Sequence, residues 1–134
     1  MNTFLSGTIL AFGCGYMLYS YFYKNSLKYL ISKYEQDNNC KLIIIKQNRG
    51  SNIDDKLATN LANMFNKLSN NKNVDIILHT NGGDLFASIR IYKLFQMFPN
   101  KIRIFVPTHA YSAGTLLSLM VPEIYANNYS QFSP

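Results

Sequence analysis

The sequence is short of the residues from which most catalytic and metal sites are built. Only two histidines and two cysteines occur in 134 residues. Cys14 lies in an apolar segment and Cys40 just before the first predicted strand, which is no disulfide framework. No His, Asp or Glu joins them at metal-ligand spacing, so neither a bound metal nor a cofactor is expected. Charge is also scarce, at 15% of residues, and two regions lack nearly all of it. Residues 1–23 contain no Asp, Glu, Lys or Arg, and after Ser112 the one charged side chain is Glu123. The net charge is +6, but the lysines are scattered and often sit beside Asn. No recognition helix, zinc spacing or aromatic-interleaved basic patch accompanies them, which excludes nucleic acid as an expected partner.

The uncharged start has a clear physical reading. Thr3 to Tyr23 is 21 residues, and ~20 helical residues cross a hydrocarbon core of ~30 Å. Tyr16, Tyr19, Tyr21, Phe22 and Tyr23 crowd one end, as interfacial aromatics do, and Lys24, Lys28 and Lys33 follow. A cleaved signal peptide wants a basic start and a small-residue cleavage site, and neither is present. Residues 1–23 are therefore expected to be a single transmembrane anchor with the domain on the cytoplasmic side, where the lysines lie. Residues 24–40 follow as a juxtamembrane helix and linker. Leu27, Leu30, Ile31 and Tyr34 form its apolar stripe, and Glu35–Asn39 is the linker.

Residues 41–134 read as alternating strands and helices. Lys41–Gln47 is a continuous apolar run flanked by Lys, which suits a strand buried on both faces. Ser51-Asn52-Ile53-Asp54 fits a capping box, and Leu57, Leu61, Met64, Phe65 and Leu68 line one face of the helix behind it. Val74–Thr80 is the second strand, a parallel neighbour of the first through a right-handed crossover. The helix from Asp84 to Phe98 has a wide apolar face, with Leu85, Phe86 and Ile89 flanking Ala87, Ile91, Leu94 and Phe95. Ser88, Arg90, Lys93 and Gln96 are left for water, so the helix is expected to be covered on more than one side. Ile102–Val106 is a third strand, Ala113–Met120 a helix, and Glu123–Ala126 a short fourth strand.

Two turns in this series carry chemistry. Asn81-Gly82-Gly83-Asp84 follows one strand, and Pro107-Thr108-His109-Ala110-Tyr111 leads from the next into Ser112-Ala113-Gly114. Glycines let a backbone approach a reacting carbonyl, and their N–H groups can stabilise an oxyanion. A serine opening a helix faces unpaired N–H groups and the positive end of the helix dipole. Gly-Gly is also a common turn, and Ser before Ala-Gly is also a common N-cap.

Taken together, Ile76–Gly83, Ala87, Ile91, Val106-Pro107, Tyr111–Leu116 and Glu123-Ile124 resemble the serine dehydrogenase proteinase family. That family is a membrane-associated branch of the Clp protease/crotonase fold, related to signal-peptide peptidase A. The resemblance implies an α/β fold of Clp/crotonase-like repeated βα units with a mainly parallel sheet. It also implies a serine peptidase with Ser112 as the acyl-enzyme nucleophile. The N–H groups of Gly83 and Ala113 would be the oxyanion donors, and Gly82 would allow the tight turn. Asn81 stands where the family commonly has proline. The family's domain is longer than residues 41–134, so the chain is expected to hold a partial, C-terminally truncated domain.

The general base is the difficulty. An unassisted serine hydroxyl is a poor nucleophile. Clp-type members place a His and an Asp after the serine, and signal-peptide peptidase A uses a Lys; none of these follows Ser112. His109 is the candidate base within the chain, while His79 reads as a strand-end residue bonding locally. Loss of the base costs on the order of 10⁶-fold in turnover in a serine protease triad. Three readings stay open: a base from a neighbouring protomer in a homo-oligomer acting on polypeptide substrates, a non-catalytic interaction module, and a fragment of an interrupted peptidase gene. Crotonase-like acyl-CoA chemistry, which needs no serine nucleophile, is a more distant reading.

Overall fold

A computed structural model describes residues 23–48, 50–68, 72–98 and 101–134. The expected membrane-spanning segment, but for Tyr23, lies outside the described residues. Among the described residues no helix is long and apolar enough to cross a membrane. The chain divides into two units, Met1–Asn38 and Asn39–Pro134.

In the first unit, residues 23–37 form helix α1. It runs through Glu35–Asp37, which sequence alone assigns to a linker. Asn38 caps it by donating both its backbone N–H and its Nδ2–H to Tyr34 O at 3.0 Å. Asn39 then turns out of the helix at φ 45, a conformation Asn tolerates better than most residues.

The second unit runs β1 (Cys40–Lys46), α2 (Asp55–Phe65), β2 (Asn73–His79), α3 (Leu85–Met97), β3 (Ile102–Val106), β4 (His109–Tyr111), α4 (Ala113–Leu119), β5 (Glu123–Ala126) and β6 (Gln131–Ser133). Strands β1, β2, β3 and β5 form a four-stranded sheet in that order, with every pairing parallel. A separate parallel pair joins β4 to β6. This is the expected α/β class with a mainly parallel sheet.

The core lies between one sheet face and the three helices. Ile43 and Ile45, Val74, Ile76 and Leu78, and Ile102, Ile104 and Val106 meet Leu61, Phe65, Ile91, Phe95 and Leu117 there. Ile76, Leu78 and Ile104 are fully buried, and each such side chain contributes about 1.5–3 kcal/mol. β1 is not buried on both faces: Ile43 and Ile45 point into the core while Ile44 is 46% exposed. It is an edge strand, and the helices cover only its core side. On the sheet face away from the core, Arg103 donates from Nε and Nη2 to the two oxygens of buried Asp75 at 2.6 and 2.7 Å, a bidentate cross-strand pair.

Helix boundaries also differ in instructive ways. Asp54, rather than Ser51, caps α2, accepting the Leu57 N–H at 2.7 Å. Asp84 caps α3 in the same way, accepting the Ala87 N–H at 2.7 Å. The widened face of α3 is not fully covered, since Leu85 and Phe86 are exposed. Ser88, read as facing water, is buried with its hydroxyl donating to Asp84 O.

Candidate active site

Both turns lie past the carboxyl ends of parallel strands, where open α/β sheets form their sites, and they touch. Gly82 is buried at φ +101. A Cβ there would stand 2.7 Å from Ser112 Cβ, 2.7 Å from Tyr111 O and 3.3 Å from Ala113 N. Glycine is required at Gly82 both by its backbone conformation and by the closeness of the serine turn.

Gly83 is pressed from the other side. The Ile53 N–H donates to Gly82 O at 2.8 Å and the Asp84 N–H to Ile53 O at 2.7 Å, a short parallel bridge. This bridge consumes the groups flanking Gly83 and turns the Gly83 N–H away from Ile53. Among the described residues the Gly83 N–H has no hydrogen-bond partner, and neither does the Ala113 N–H at the start of α4. Two unpaired donors thus flank the Ser112 turn.

Ser112 is exposed and joins β4 to α4 at φ 51, ψ −122. A non-glycine residue in such a region costs on the order of 1–3 kcal/mol and persists only where its surroundings hold it. Here the Ser112 N–H donates to Ser133 O at 2.8 Å and Ser112 O accepts the Leu116 N–H at 3.1 Å. Thr115 Oγ1 lies 2.6 Å from Ala110 O and 2.7 Å from Ser133 O, pinning the same turn to β6. The Ser112 hydroxyl makes no cap hydrogen bond, so the plain N-cap reading does not describe it. Its hydroxyl has no hydrogen-bond partner among the described residues.

The histidines sit together, yet neither bonds Ser112. The His79 and His109 ring centroids are 4.2 Å apart, and His109 stacks on Tyr111 at 4.5 Å. His79 Nδ1 pairs with Thr108 Oγ1 at 2.5 Å, a local bond at the strand end. His109 Nε2 lies 3.1 Å from Asn81 Oδ1, in the glycine turn. Strand alternation puts His109 and Tyr111 on one face of β4, and Ser112 leaves in the turn beyond. Burial lowers the His79 pKa below its ordinary 6.5, and the charges of His109 and Lys46 lower it further. Among the described residues no three His, Cys, Asp or Glu side chains gather to hold a metal.

Sequence reasoning missed three contributors: Thr80, Gln47 and the β6 carbonyl of Ser133. Thr80 Oγ1 accepts the Gly82 N–H at 2.9 Å and donates to Gln47 Oε1. A Thr two residues before Gly was the available signal, the hydroxyl version of an Asx-turn.

Residues 29–134 match the family described as ClpP-like SDH-type serine proteinase. The chain belongs to this family. It is also 35% identical over 63 residues, 47% of its length, to an uncharacterized protein of Methanocaldococcus jannaschii. The chain spans about a fifth of that relative's length, 22%. In this chain the strand–Gly-Gly and strand–Ser-helix units are brought into contact.

Proposed function

We propose that the protein is a membrane-anchored serine peptidase in which Ser112 is the acyl-enzyme nucleophile. The observation that carries this is the strained Ser112 turn, packed against Gly82, with the unpaired N–H groups of Gly83 and Ala113 beside it. In the reaction Ser112 Oγ attacks the peptide carbonyl carbon and its proton passes to a base. The carbonyl oxygen becomes an oxyanion that the two N–H groups receive. The C–N bond then breaks, the amine leaves with the proton, and water hydrolyses the ester. No described side chain hydrogen-bonds Ser112, and we assign the base to a second copy of the chain, with His109 the candidate within this one. Residues 1–23 hold the domain on the cytoplasmic side of a membrane, consistent with Lys24, Lys28 and Lys33 following the apolar segment.

A fluorophosphonate probe tests the reaction. Labelling of the membrane-bound full chain that is lost in Ser112→Ala supports it, and absence of labelling at any protein concentration removes it. The unpartnered Ser112 hydroxyl favours a second reading, a family member that kept the fold for interaction and lost catalysis. An oxyanion hole without its base retains only about 10³–10⁴ over water. For the anchor, extraction of the chain from membranes by alkaline carbonate would remove the membrane-spanning assignment.

A further inference from the structure

Thr80 lies buried where the glycine turn, β4 and α4 meet. The residue is fully buried. Its hydroxyl has one proton, which goes to Gln47 Oε1, leaving its lone pairs to accept the Gly82 N–H at 2.9 Å. Its Cγ2 is 2.3 Å from where a Cβ on Gly114 would stand. Its own N–H donates to His109 O at 3.2 Å, and its C=O accepts the Tyr111 N–H at 3.1 Å. One side chain and its peptide groups therefore hold the glycine turn, the strand before the serine and the helix behind it. Gln47 is fixed in turn, since its N–H donates to His79 O at 3.0 Å.

Bonds to Thr80 and Ile53 occupy the Gly82 N–H, the Gly82 C=O and the Asp84 N–H. Among the described residues the N–H groups of Asn81 and Gly83 have no partner, and of these the Gly83 N–H opens toward the start of α3 just past the locked Gly82. We propose that Thr80, held by Gln47, is a positioning residue that sets the Gly83 N–H in line with the oxyanion formed at Ser112. The lock stands on the hydrogen bonds alone; what the aligned donor binds rests on the serine-peptidase reading. Thr80→Val keeps the shape but leaves the buried Gly82 N–H and Gln47 Oε1 without partners, which favours an opened turn. Thr80→Ser keeps the hydroxyl and gives up only the methyl beside Gly114.

Two readouts on the full chain separate the lock from the chemistry: hydrogen exchange at the Gly82 amide, and the rate of fluorophosphonate labelling. Thr80→Val is expected to speed Gly82 exchange by about tenfold or more and to slow labelling by about 10²-fold. Exchange at the core amides of Ile76 and Ile104 should stay within about twofold. Thr80→Ser should return both readouts close to wild type, and Gln47→Met should speed Gly82 exchange without matching Thr80→Val. Unchanged Gly82 exchange in Thr80→Val overturns the proposal, as does a Thr80→Ser variant as impaired as Thr80→Val. If the wild type is never labelled but Gly82 exchange responds as stated, the lock stands and the peptidase reading falls. If the wild type is labelled and Thr80→Val reacts at the same rate, the peptidase reading stands and the positioning role falls. Should Thr80→Val fail to fold, Gln47→Met must speed Gly82 exchange while Thr80→Ser leaves it; the reverse order overturns the lock.

Discussion

The glycine turn and the serine turn sit against each other, yet they are built on opposite plans. In the glycine turn the side chains have been removed so that main-chain groups can be aimed. Gly82 and Asp84, either side of Gly83, are sewn to Ile53 and Thr80 by three hydrogen bonds of 2.7–2.9 Å. In the serine turn the main chain is tied down, to Ser133 and Leu116, so that one side chain can stand exposed without a partner. At Gly82 and Gly83 the neighbouring backbone comes too close for any side chain. Presenting a hydroxyl needs a backbone conformation that the surroundings must enforce at a cost. A substitution should therefore fail by steric overlap in the first turn and by lost reactivity in the second.

The largest effect is expected at Gly83. A Cβ there would come within 2.3 Å of Ile53 O and 2.5 Å of Ile53 N, both backbone atoms that cannot step aside. Gly83→Ala should cost at least about 3 kcal/mol in urea unfolding, from overlap added to an unfavourable φ. Gly50→Ala is the control, because Gly50 also has positive φ but nothing within 4 Å. It should cost only about 1 kcal/mol. Equal losses at the two positions would break the contrast.

Gly114→Ala meets a side chain rather than a backbone, the Cγ2 of Thr80. A loss of about 1–3 kcal/mol is expected. Combining it with Thr80→Ser, which removes that methyl, should recover much of the loss. Strict additivity in this double-mutant cycle would show that the two residues do not press on each other.

At the serine turn the direction reverses. Ser112→Gly places the permissive residue at φ 51 and should raise stability by about 1 kcal/mol while eliminating probe labelling. Ser112→Ala should eliminate labelling with little change in stability, since no cap hydrogen bond is lost. A large destabilisation by Ser112→Ala would mean that the hydroxyl is structural.

The smallest effect concerns pH. Burial, then His109, then Lys46 disfavour the charged form of His79 in the folded chain. As pH falls through about 6.5 the unfolded chain takes up a proton on this ring while the folded chain does so only lower down. The unfolded state then binds more protons, so stability should fall as pH drops below about 6.5. Glu123, whose pKa is lowered chiefly by its hydrogen bond from Lys101, acts at lower pH, where its protonation loses that bond. His79→Gln should flatten the urea midpoint between about pH 7.5 and 5.5. An unflattened profile would assign the change to other groups.

Much of the domain was legible because its signals are long. The apolar runs of β1, β2 and β3 and the amphipathic faces of α2 and α3 extend over five or more residues, and even short β5 follows a clear proline stop. β4 and β6 were not legible. Each has three residues, and each pairs with a segment about twenty positions away, at His109↔Gln131 through Tyr111↔Ser133. No local pattern encodes such a pairing. Of the site, the glycines and Ser112 were readable from spacing and resemblance, because backbone conformation restricts residue type. The Thr80–Gln47 bond was not, since neither residue is unusual where it stands. The exposed side of β1 was misread because Ile44 is apolar, and a run of isoleucines does not reveal which faces the rest of the chain will cover.

The β4–β6 pair also sets the order in which this molecule comes of age on the ribosome. Strands β1, β2 and β3 and both glycines precede residue 107 in the chain, whereas the carbonyl that fixes Ser112 belongs to Ser133. At about 5–20 residues per second, Ser133 is added seconds after Val106, so the clasp on Ser112 is the last part of the site to be synthesised. The hold on Ser112 cannot form until the three-residue strand β6 has been made.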